Sequence, residues 1–204
     1  VARTAEASAL TRRHYALQVQ IRAAALRDLL PLWSVVDPTD LRGTIDGFSR
    51  AGAVVAQSRR RDSAGLAGRY FREFRRLEGV RGTAFMSVAG TLGRAVLEDA
   101  VRSAALAGIV NARRRGLGVG AAANNGLVKV TGAVTRLVLN GGRDTLLDAV
   151  DGDRAARGWQ RVLGGPSCDF CTTLATRGAV YKGEDTAGFQ AHDHCTCSAE
   201  PVFD

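Results

Sequence analysis

All four cysteines of this chain stand in one short stretch, as Cys168, Cys171, Cys195 and Cys197, and two of its three histidines, His192 and His194, stand beside the second pair. Scattered cysteines rarely crowd in this way, so the spacing carries information. A Cys-x-x-Cys pair is followed, after twenty intervening residues, by a His-x-x-Cys-x-Cys run. Two thiolates separated by two residues turn toward one ion, and tetrahedral zinc then needs two further ligands from a second turn. His192, His194, Cys195 and Cys197 oversupply them. Spacing alone leaves open which of His192, His194 and Cys197 completes the set.

Disulfides and free thiols are the alternatives. A Cys-x-Cys pair does not close easily on itself, and crowded thiols beside histidines suit a metal better. A catalytic metal wants an open position and a nearby carboxylate base, for which Asp169, Asp193 and Glu200 are candidates. A surplus of protein ligands instead favours a closed, structural site. Zinc held there would turn about 10–16 kcal/mol of metal affinity into folding energy for a segment too small to carry its own core.

The length of 204 residues allows one substantial core with an appended module, or two small domains. No apolar run approaches the roughly 18 residues that a membrane span needs, and residues 1–10 carry no secretory signal. The expectation is a chain made and folded in a reducing cytoplasm, with no membrane partner. The net charge of +8 is almost wholly arginine, with Lys129 and Lys182 as the only lysines. Such a balance suggests an anionic partner. The clusters Arg59, Arg60, Arg61 and Arg113, Arg114, Arg115 are the candidates for contacting double-stranded DNA, against the plainer reading of solvated helix faces written in arginine. Arg69, Arg72, Arg75 and Arg76 form a third cluster, interleaved with Tyr70, Phe71 and Phe74 at a helical spacing that reads as core.

Apolar positions at Tyr15, Val19, Ala23, Leu26, Leu30 and Trp33 predict an amphipathic helix over residues 5–33, ended or kinked by Pro31. Asp37, Pro38 and Asp40 read as an N-cap, a first-turn proline and an acidic first turn of a second helix, running to the arginines at 59–61. Ser63 is expected to cap a third helix that closes at Gly79 and Gly82. Residues 83–115 read as one long or broken helix. The glycine-rich stretch 116–126 lacks the Gly-Lys-Ser/Thr ending of a phosphate loop and reads as a flexible connector. Short helices are expected at 128–139 and 143–150, separated by Gly141 and Gly142, with a helical turn at 151–159. Short strands are expected at 160–163, 179–181 and 201–203. The fold class is therefore mainly α: a multi-helix body (1–115), a connector with short helices (116–156), and a small zinc-braced α+β module (157–204).

The runs Gly158-Trp159-Gln160-Arg161-Val162, Pro166-Ser167-Cys168-Asp169-Phe170-Cys171, Arg177-Gly178-Ala179-Val180-Tyr181 and Ala191-His192-Asp193-His194-Cys195-Thr196-Cys197 resemble the C-terminal part of the phage Mu F-like minor head proteins, closest to their actinobacteriophage branch. The likeness extends to Gly141-Gly142-Arg143-Asp144-Thr145 and, more loosely, to Trp33 and Asp37-Pro38-Thr39-Asp40-Leu41. The resemblance implies a virion component, present in few copies inside the capsid or at the portal vertex, with portal or major capsid protein as partners. It also tilts the ligand set toward Cys168, Cys171, His192 and Cys195, with Cys197 next. Members of this branch are often called capsid maturation proteases. The residues assemble no catalytic constellation for that activity: His14 is the only histidine outside the cluster, and no His-Glu-x-x-His helix exists. A zinc module binding nucleic acid outside the particle is a further alternative, with only Arg157, Arg161, Arg177 and Lys182 as its cations.

Overall fold

A computed structural model of the chain describes residues 4–85, 89–165, 167–178 and 188–203. Helix α1 (Ala5–Leu29) starts where the Thr4 hydroxyl accepts from the Ala7 amide, and it tightens at Pro31 into a 3-10 segment, Leu30–Val35. Asp40, rather than Asp37, caps α2 (Leu41–Leu77), accepting from the Gly43 amide at 3.0 Å. Asp37 instead closes a turn onto Thr39. Among the described residues α3 (Arg94–Arg114), α4 (Val119–Gly152) and the short α5 (Asp169–Thr176) complete the helices. Strands β1 (Ala156–Val162) and β2 (Ser198–Phe203) pair antiparallel, with Trp159 opposite Pro201 and Val162 opposite Ser198. The chain is thus mainly helical with a small two-stranded sheet, as expected, and the strand expected at 179–181 lies outside the described residues.

Several expected breaks are absent, for one physical reason. Residues 41–77 form one helix because Ser63 is buried at mid-helix, where its hydroxyl donates to Gln18 and accepts from the Gly142 amide. Residues 119–152 likewise form one helix, where a connector and short helices were expected. Gly141 and Gly142 do not interrupt it. A Cβ at Gly141 would strike the Arg60 carbonyl and one at Gly142 would strike Ser63 and Gln18, so these glycines let α4 and α2 approach closely. Where a helix was expected to begin at residue 83, helix α3 begins only at Arg94. Gln57 takes the Gly90 carbonyl and the Leu92 amide, and Thr145 takes the Ala89 amide, so side chains replace the helical ladder.

Two apolar clusters follow. One joins Leu29, Ile45, Phe48, Val101, Ile109, Val130 and Val138 between α1, α2, α3 and α4. The other places Tyr70, Phe71, Phe74 and Leu146 of the helices against Trp159, Phe189, Phe203 and three of the cysteines. The sheet and the cysteine turns are therefore packed on the ends of α2 and α4. Buried Arg75 fastens this end, pairing with Asp153 at 2.7 Å and donating to the carbonyls of Val80, Arg81 and Gly82. Among the described residues no helix is long and apolar enough to cross a membrane.

Candidate metal centre

The site is built from two turns facing each other across the edge of the sheet. After β1 the chain turns through Gly165, whose φ of 64° suits glycine, and Cys168 then caps α5. The Cys168 sulfur accepts from the Cys171 amide at 3.5 Å, so the first helical turn puts both sulfurs on one side. The second turn closes where the Cys195 amide donates to the His192 carbonyl at 3.1 Å. His194, at the left-handed position of this turn with φ 65°, is carried to the opposite side. Its ring lies over Gly132 of α4, where a Cβ would collide with it, while Asp193 pairs with Arg136 at 3.0 Å.

The donors gather in two overlapping groups. Cys168 Sγ lies 2.9 Å and Cys171 Sγ 3.8 Å from His192 Nε2, and Cys171 Sγ lies 3.8 Å from Cys195 Sγ. Cys168, Cys171 and His192 form one group able to hold a metal ion, and Cys171, Cys195 and Cys197 form another that shares Cys171. All four cysteines are free, so the disulfide alternative is not realised. The donor chemistry fits zinc: Zn–S bonds of about 2.3 Å give a tetrahedral sulfur–sulfur edge of about 3.8 Å, the Cys171–Cys195 spacing. His192 Nδ1 sits 2.7 Å from the Asp193 carbonyl, which holds a proton on that nitrogen and leaves the Nε2 lone pair toward the sulfurs.

The electrostatics of the turns differ across the cluster. The exposed Cys168 thiol is held below its ordinary range, mainly by the Cys171 amide, and the hydrogen bond to the Asp193 carbonyl raises His192. Burial pushes Cys171 up to about 11, while the Cys195 thiol donates to Cys197, drawing Cys197 down to about 5 and raising Cys195.

The carboxylates considered as bases are elsewhere. Asp193 is paired to Arg136, Asp169 is exposed in the first turn of α5, and Glu200 is buried, accepting from Thr11 and from Gln160. His14 is also buried, stacked on Tyr70 at 4.2 Å with neither ring nitrogen hydrogen-bonded. Two cation assignments need correction. Arg60 does not face solvent: it is 3% exposed and donates to Leu137, Ala89 and Asp144, joining three segments. Arg161, counted among the module's cations, is buried against Phe189. Arg59 is partly buried and paired with Asp28 and Asp62, whereas Arg61, Arg113, Arg114 and Arg115 are exposed.

Sequence reasoning missed Arg143. Its guanidinium donates to the carbonyls of Cys195 and Cys197 at 2.8–3.0 Å and to Asn140. The signal was present, since Arg143 lies between Leu139 and Leu146 on the apolar stripe of α4, where a charge is out of place. The family model described as VG15 protein matches residues 4–204. No curated protein and no solved structure matches the chain.

Proposed function

The chain belongs to the VG15 protein family, a family of phage proteins, and from that premise we propose that it is a minor head protein of a tailed phage, of the Mu F-like kind, braced by one structural zinc ion. The observation that supports this reading is the gathering of Cys168, Cys171 and His192 in one group and of Cys171, Cys195 and Cys197 in another that shares Cys171, residues on which the likeness to Mu F-like proteins rests. Four of these five would hold the zinc, with Cys168, Cys171, His192 and Cys195 first and Cys197 next, and the ion when bound would cross-link two turns distant in sequence. The helical body docks on portal or major capsid protein at the capsid interior or portal vertex. Mass spectrometry of purified particles tests the assignment. The protein should be recovered with the virion, and its absence from particles would overturn the reading.

Packaged double-stranded DNA is the proposed anionic partner. Arg113, Arg114 and Arg115 are exposed where α3 turns into α4, and no Asp or Glu occurs between Asp99 and Asp144 to offset them. Arginine–phosphate contacts release counterions, so binding should weaken steeply with salt and be indifferent to sequence. Replacing the three arginines with glutamine should lower the slope of log affinity against log salt by about 2–3. An unchanged slope would remove the DNA partner.

One observation favours the capsid maturation protease as a second reading. Cys168 is exposed at a helix N-terminus, 2.9 Å from a histidine whose other nitrogen is held by a carbonyl, and its thiol is biased toward thiolate. Co-expression with scaffold and major capsid protein separates the two readings. New termini that vanish in folded C168A and H192A variants would favour proteolysis, and uncut partners would favour the structural role.

A further inference from the structure

The inner wall of the cysteine cluster carries two buried arginines, Arg143 and Arg161, which are 3% and 5% exposed. Among the described residues neither forms an ion pair. Asp144, the acid adjacent to Arg143, is engaged by Arg60 at 2.6 Å. Arg143 donates to the backbone carbonyls of Cys195 and Cys197, and Arg161 Nη1 points at the Cys171 sulfur at 3.7 Å, with Nη2 on the Gln190 carbonyl. Both guanidiniums lie on the Phe189 ring, 4.8 and 3.9 Å from its centroid. Carbonyl oxygens and one aromatic face engage the guanidiniums, leaving Arg161 Nε without a hydrogen-bond partner, and they do not cancel two full charges withdrawn from water. A divalent ion bound by three thiolates carries a net charge of about −1, and by four, about −2. That charge has the sign and the location which the arginines lack.

We propose that Arg143 and Arg161 are positioning residues for a net-negative thiolate–metal centre: Arg143 fixes the backbone that presents Cys195 and Cys197, Arg161 faces Cys171, and together they offset the charge of the bound thiolates. This inference rests on the metal reading above and deepens it. The arginines and the metal are then energetically coupled, each making the other less costly to bury. A role confined to packing would lack that coupling.

The test uses the full chain loaded with zinc, with metal retention measured by chelator competition and stability by thermal melting in zinc and in chelator. R143Q and R161Q should each weaken metal retention about 10- to 100-fold, as expected for groups that orient ligands, and R143K, which keeps the charge, should lose less. R143Q should melt below the parent chain in zinc, and the gap should close or reverse in chelator, where the parent buries its arginines without the compensating centre. Equal destabilisation in both media with unchanged metal retention would overturn the proposal. If R143Q does not fold, the R161Q and R143K measurements decide it. A parent chain that takes up no metal would overturn the metal reading itself, whereas a parent that loads zinc no better than its arginine variants would overturn only the coupling.

Discussion

At the scale of single residues, His14 exposes the cost of one buried imidazole. It is stacked on Tyr70, and burial lowers its pKa from 6.5 to about 3. The folded state holds it neutral while the unfolded chain takes up a proton below about pH 6.5. Its contribution to stability is complete above the unfolded pKa and is lost as pH falls toward 3, at about 1.4 kcal/mol per pH unit. H14F should therefore retain about 2 kcal/mol of stability that the parent loses between pH 6.5 and pH 5. Urea midpoints of the two proteins across that range check it, and parallel pH profiles would contradict it. The cysteines were legible as a site because their spacing is local. The fate of His194 was not, because a left-handed residue in a four-residue turn sends its side chain away from its neighbours, and only Gly132 on another helix shows where it goes.

At the scale of elements, apolar periodicity located α1 and most of α2, and it failed at the glycines of α4. A glycine pair in sequence signals either a break or a close approach, and only the partner helix distinguishes them. Gly141 is a contact and Gly120 is not, since a Cβ at Gly120 would meet open space. G141A should therefore destabilise the protein by about 1–3 kcal/mol through overpacking against Arg60, while G120A should stabilise it by up to about 1 kcal/mol through helix propensity. Denaturant titration of both variants checks the pair, and a harmless G141A would mean that α2 and α4 are less closely packed than described. Strand β2 was legible to within a few residues, whereas β1 begins at Ala156 inside the helical turn expected at 151–159, and α5 was masked by its cysteines, which read as ligands before they read as a helix start.

At the scale of the whole molecule, the sequence divides more readily than the core does. Composition changes near residue 157, but Cys171, Cys195 and Cys197 pack in one cluster with Tyr70, Phe71 and Phe74 of α2 and Phe203 of β2. A chelator should then lower the melting of the entire chain in one cooperative transition. Differential scanning calorimetry with and without chelator checks this, and a small separate transition with the main one unmoved would show that the C-terminal segment melts alone. The arginine count was legible as basicity, but its division was not. Arg60, Arg75, Arg143 and Arg161 are internal fasteners, and Arg59 is tied up by Asp28 and Asp62.

The continuity of α4 has a mechanical meaning. At 34 residues and 1.5 Å per residue it is a strut about 50 Å long. Arg113, Arg114 and Arg115 stand at its leading end, and Arg143 grips the cysteine turn about 36 Å along it from Val119. With Gly141 and Gly142 seated on α2, the strut has little freedom to slide there. It works as a caliper: the basic corner and the cysteine turns are held at a set distance from each other.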